Sequence, residues 1–118
     1  MHLNSLIIIF KLNARSVIKA MNKNIKEMIE YPKEGVLSKE IIKDKKLNVT
    51  LFCMAKNTDI SEHTSTKSGT VYVIEGNGIF NLEGKDIIMK QGILIYMKEN
   101  AIHSLKAIEN TSFLLSLS

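Results

Sequence analysis

The chain holds a single cysteine, Cys53, so no internal disulfide can form and nothing in it asks for an oxidising compartment. Tryptophan is absent, and Arg15 is the only arginine. Nucleic-acid surfaces concentrate basic side chains on one face, often with aromatic platforms, and this sequence offers neither. Its formal charge of +4 is misleading on that point. Lys11, Arg15 and Lys19 stand in residues 1–20 with no acid, and the remainder is nearly balanced, 13 basic against 12 acidic side chains. No segment approaches the roughly 20 apolar residues that a bilayer span needs. No Ser/His/Asp order, phosphate-binding glycine loop or paired-cysteine motif occurs either. These absences set the expectation of a cytoplasmic protein that binds neither nucleic acid nor membrane.

With 118 residues, 45% of them apolar and 24% charged, the sequence supports one domain with a core of its own. Residues 1–20 read as an N-terminal extension and 21–118 as the domain proper. The apolar run Leu6–Phe10 is too short for a signal-peptide core. It is open to three readings: an added edge strand, an arm that contacts a partner, or a non-native extension ahead of a natural start at Met21. His2, in the same stretch, reads as a solvent-exposed bystander. Val17, Met21, Ile25, Met28 and Ile29 follow helical spacing, which predicts a short amphipathic helix ending before Pro32.

Beyond Gly35 the pattern becomes that of strands. The alternating set Leu47, Val49, Leu51, Cys53 and Ala55 predicts one buried face, with Cys53 as an inert thiol. Gly76, Gly84 and Gly92 recur every eight residues between β-branched and aromatic runs. Turn glycines at that spacing mark short antiparallel strands in a sandwich or barrel. The expected strands are 36–42, 47–55, 60–65, 70–75, 79–82, 85–89, 93–97, 103–108 and 113–117. Tyr72 and Tyr96 are expected to pack between sheets or at an interface. Met28, Met54, Met89 and Met97 read as core filler. His63 and His103 stand near the two ends of the glycine-punctuated block, as side chains from distant strands would if they converged on one interior point.

Ser61-Glu62-His63-Thr64-Ser65, then Val71–Gly76, then Gly92 and Ala101–Ala107 resemble the small conserved-barrel cupins in the order and spacing of both cupin motifs. The resemblance covers about residues 25–118. It implies an all-β double-stranded β-helix, the cupin jelly-roll barrel, with a short N-terminal helical or irregular extension. Of the family's four metal donors, the resemblance places the first-motif histidine on His63 and the second-motif histidine on His103. The other first-motif histidine falls on Ser65 and the glutamate on Gly69. Lys98 and Asn100 replace the second motif's usual proline and glycine. Glu99 is the one nearby carboxylate that the sequence suggests could swing in.

Two functions follow. The first is a small-molecule-binding cupin with His63, Ser65, Gly69 and His103 lining the pocket and a degenerate metal site. The second is a metal-dependent oxygenase or isomerase of a small organic acid or sugar. In that reading His63 and His103 are incomplete ligands of iron, manganese, nickel, copper or zinc. A homodimer is expected, using Leu6–Phe10 or 36–42 to cover sheet edges.

Overall fold

A computed structural model describes residues 20–118. They form one short helix, α1 (Ile25–Met28), and nine strands: β1 (Val36–Lys43), β2 (Asn48–Met54), β3 (Asp59–His63), β4 (Gly69–Glu75), β5 (Gly78–Leu82), β6 (Lys85–Met89), β7 (Leu94–Met97), β8 (His103–Ala107) and β9 (Thr111–Leu117). The strands make two antiparallel sheets, ordered β1-β2-β9-β4-β7 and β3-β8-β5-β6. Together they give the jelly-roll barrel that the glycine rhythm and the family resemblance lead one to expect. Gly76 shows why the rhythm uses glycine. It turns at φ 120°, and a Cβ there would press on the backbone of Thr111.

The inner faces of the two sheets meet around Phe52, Val73, Phe80, Met89, Leu105 and Phe113. Met54, Met89 and Met97 are buried in this layer, as expected of core filler. A second apolar layer lies on the outer face of the five-stranded sheet. There Ile25, Met28, Ile29 and Tyr31 cover Ile41, Leu51, Cys53 and Ile74. β2 is therefore buried on both faces. Phe52 and Met54 point into the barrel, whereas Leu51 and Cys53 point under the N-terminal segment. The period-two set in β2 marks the outer layer rather than the barrel interior, and Leu47 at its start is exposed. Cys53 is fully buried, and burial pushes its thiol pKa up, in keeping with an inert residue.

The helix is shorter than its periodicity suggests. Asn24 caps α1, its side chain accepting from the Glu27 amide at 3.4 Å, and Ile29 is already extended at φ −66°, ψ 130°. Three consecutive turns would carry Ile29 and Tyr31 off the sheet, so the chain unwinds and lays both onto it. Val17–Lys19, Leu6–Phe10 and His2 lie outside the described residues. Two struts fix the segment. The Lys39 ammonium donates to the Met28 carbonyl at 2.7 Å and to Glu30 at 3.0 Å, and the Tyr31 hydroxyl donates to Glu75 at 2.8 Å. Burial, with the Glu75 carboxylate beside it, holds the Tyr31 hydroxyl protonated well above the usual tyrosine range.

The barrel has two distinct ends. At one, Gly35, Ala55, Thr58, Asn77 and Ala107 are tied by short loop hydrogen bonds. At the other, Ser65 bonds Asn100, Ser68 bonds Ser118 and Glu83 bonds Ile102, which gathers the ends of β3, β5 and β9 with the starts of β4 and β8. Both histidines of the domain lie at this second end.

Candidate functional site

The inward residues of β8 are His103, Leu105 and Ala107, all buried. His63 of β3 is the register partner of His103, and Ile60 that of Leu105. Two residues separate Ile60 from His63 but only one separates their partners, so a β-bulge lies at Ser61–Glu62. Without that bulge strict alternation would aim Glu62 inward and His63 outward. The bulge re-aims the strand and sets the two imidazoles side by side. Their ring centroids are 4.1 Å apart and the planes cross at 62°. Phe80 stacks on His103 at 5.7 Å, nearly parallel.

Each ring is anchored in the same way. Nδ1 of His63 lies 2.8 Å from the Ser61 carbonyl, and Nδ1 of His103 lies 3.0 Å from the Ala101 carbonyl. A carbonyl can only accept, so each Nδ1 carries the proton and donates it. In its neutral form each ring then presents a bare Nε2 lone pair. Burial lowers the His103 pKa, with His63 adding to the effect and the Ala101 carbonyl opposing it. His103 therefore stays neutral at physiological pH, with Nε2 as an acceptor.

The other expected residues play different parts. Ser65 lies just past β3, and its hydroxyl accepts from the Lys67 amide at 3.2 Å while its carbonyl accepts from Asn100 at 2.7 Å. It builds the rim of the site. Asn100, where the family motif has glycine, sits at φ 64°, a left-handed conformation that asparagine tolerates. Gly69 is buried at the start of β4, and a Cβ there would run into the Ser116 carbonyl and the Leu117 side chain. The position of the family's glutamate thus has no room for any side chain. Glu99 lines a pocket of about 520 Å³ with Glu83, Tyr96, Lys98 and Asn100, beside the histidine end.

A transition-metal centre of three or four protein donors does not fit these residues. Among the described residues no group of three or more His, Cys, Asp or Glu side chains is placed to hold an ion. Two imidazoles remain, and they make at most a weak, exchangeable site. Tyr72 and Tyr96 project from the outer face of the five-stranded sheet, 45% and 61% exposed, so of their two expected placements the one between the sheets is not realised.

Sequence reasoning missed Glu40. It sits on the inner face of β1, and its Oε1 is buried with no hydrogen-bond partner. The run Ser38-Lys39-Glu40 hides the alternation of this strand. Ser38 faces in opposite Phe52, Lys39 faces out to the N-terminal segment, and only the pairing with β2 reveals which is which.

Two antiparallel sheets closed as a jelly roll, with a histidine from each of two distant strands at one end, define a barrel of the cupin type. A cupin-domain family model matches residues 50–116, more than half of the chain, and the chain belongs to the cupin family. Curated proteins give no match. A conserved protein of unknown function from Streptococcus pyogenes has a similar structure, with TM-score 0.74 and 21% identity over 86% of this chain and 89% of that one. So does a cupin 2 conserved-barrel-domain protein from Leptotrichia buccalis, with TM-score 0.75 and 27% identity over 80% of this chain and 46% of that one. A salicylate 1,2-dioxygenase variant from Pseudoaminobacter salicylatoxidans aligns with TM-score 0.67 and 16% identity over 70% of this chain and 26% of that one. At 21% and 16% identity the likeness concerns the fold alone. Cupins include both metal-dependent enzymes and ligand-binding proteins.

Proposed function

We propose that this chain is a small-molecule-binding cupin whose ligand is read at the open end of the barrel by His63 and His103, with Ser65 and Gly69 at the rim. One observation carries the reading. The two rings are paired across β3 and β8, and each is locked through Nδ1 onto a backbone carbonyl, so that two acceptor nitrogens are preorganised at one point. A cavity lined by a few fixed polar groups on a rigid barrel is the usual form of a small-molecule site. The lone, buried Cys53 agrees with a cytoplasmic location. A homodimer completes the reading, its contact on the outer face of β4 and β7.

A second reading, a metal-dependent oxygenase or isomerase, draws on the same Nδ1 anchoring, since metal-ligating histidines are oriented in that way. Metal content by plasma mass spectrometry on untagged protein, with His63→Ala and His103→Ala beside it, separates the two. The expected result is well under one equivalent after soaking and dialysis. Near-stoichiometric metal lost in both variants would overturn the binding-protein reading in favour of the enzyme.

A further inference from the structure

The strand that faces the histidine pair across the barrel carries information about the ligand. The inward residues of β1 are Val36, Ser38 and Glu40: Val36 packs on the interior core, Ser38 stands opposite Phe52, and Glu40 stands opposite Thr50. Register then carries the Glu40 row across the sheet through Thr50 and Leu115 to Val71. On the facing sheet the corresponding row is His63, His103 and Leu82. Gly35 and Thr58, the residues just before β1 and β3, are bonded to each other through the Thr58 hydroxyl at 3.2 and 3.3 Å. Five residues further along each strand stand Glu40 and His63. At about 3.3 Å per residue, less the one-residue bulge in β3, they share one layer of the barrel. His63 is exposed, so this layer opens to solvent beside it.

Every polar group identified in that layer is an acceptor. Both imidazoles donate Nδ1–H to backbone and present Nε2. The Thr50 hydroxyl donates its proton to Asn48 at 3.2 Å. Glu40 contributes a carboxylate whose buried Oε1 has no donor among the described residues. A buried carboxylate oxygen requires a donor and a countercharge. An anion would meet only acceptors here, and a neutral polyol would bring a donor without a countercharge. A primary ammonium supplies both. Packed sheets stand about 10 Å apart. No group of three His, Cys, Asp or Glu side chains among the described residues is placed to hold a metal ion there, and the space between the facing rows suits an organic molecule of a few heavy atoms.

We propose that Glu40 is the ammonium-binding residue of this pocket and that the ligand class is a small organic amine with a second donor, such as a hydroxyl, directed at Nε2 of His63 and His103. This assignment rests on the small-molecule reading above. The test follows the histidine ring C–H signals by NMR while ethanolamine is added to wild type, Glu40→Gln, Glu40→Asp and His63→Ala. Acetate, ethylene glycol and Zn²⁺ are titrated in parallel. Expected are saturable ring shifts with ethanolamine in wild type, at least tenfold weaker binding in Glu40→Gln, intermediate binding in Glu40→Asp, and no binding in His63→Ala. Ethanolamine binding unchanged in Glu40→Gln would overturn the role of Glu40 and leave the pocket standing. Saturation by acetate, glycol or Zn²⁺ in place of ethanolamine would overturn the amine assignment. A wild type silent to all four probes would overturn both the inference and the reading beneath it.

Discussion

Burial holds the His103 pKa below its ordinary value in the fold, whereas in the unfolded chain the ring titrates near 6.5. The unfolded state therefore binds more protons once pH falls below about 6.5, and stability declines from there until the folded-state pKa is passed. Above that range the contribution is fully present. The thermal midpoint should accordingly be lower at pH 5 than at pH 7.5, and His103→Gln should flatten the difference. A wild-type midpoint that rises on acidification would contradict the sign. Gly69 gives the second test at this scale. Restoring the family's carboxylate with Gly69→Glu drives a side chain into the Ser116 carbonyl. Overpacking of this kind costs about 1–3 kcal/mol or more. Denaturant titration should show that loss, and metal analysis should show no gain in metal. Recovery of a bound ion would mean the strand can yield, which the register of β4 with β9 argues against.

Among the elements, the nine strands were legible because each is short, alternating or aromatic, and punctuated by a glycine or polar turn. The histidine pair was legible for the same reason, since motif spacing put both residues at strand ends. The β3 bulge was not. It depends on the pairing of β3 with β8, which a single sequence does not display, yet it is what aims His63 inward. Glu40 was hidden likewise, because Ser38-Lys39-Glu40 places a buried cation between two inward polar residues. Lys39 is only 5% exposed, while its partner Glu30 lies largely in solvent. The two ends of that bridge should respond differently. Glu30→Gln should cost under about 1 kcal/mol, as exposed ion pairs do. Lys39→Met also strands the Met28 carbonyl, which should cost about 1–3 kcal/mol. It should also open residues 20–34 to limited proteolysis. Equal losses in the two variants would mean the strut acts through the Glu30 charge alone.

For the whole molecule, what matters is how the five-stranded sheet covers its outer face. The N-terminal segment shields part of the outer face of β1, β2, β9 and β4, including the outward residues Leu37 and Ile41. The shield stops short of β7, one of the two edge strands of that sheet. There Leu94 and Tyr96 are 65% and 61% exposed, and register places Tyr72 opposite Leu94. Three large apolar side chains therefore share one uncovered corner beside an unpaired strand edge. A two-fold axis through that corner would bury the same patch on both copies at once and protect the edge from open-ended pairing. Light scattering on the wild type should then give twice the 13.3 kDa chain mass. The pair Leu94→Asp and Tyr96→Asp should return it to a single chain without unfolding, since neither residue enters the core. Ile88→Asp makes the control, because Ile88 is equally exposed, at 60%, but projects from the opposite sheet. It should leave the mass unchanged. A wild type that scatters as one chain at tens of micromolar would remove the dimer, and a dimer broken by Ile88→Asp but not by the β7 pair would move the contact to the four-stranded sheet.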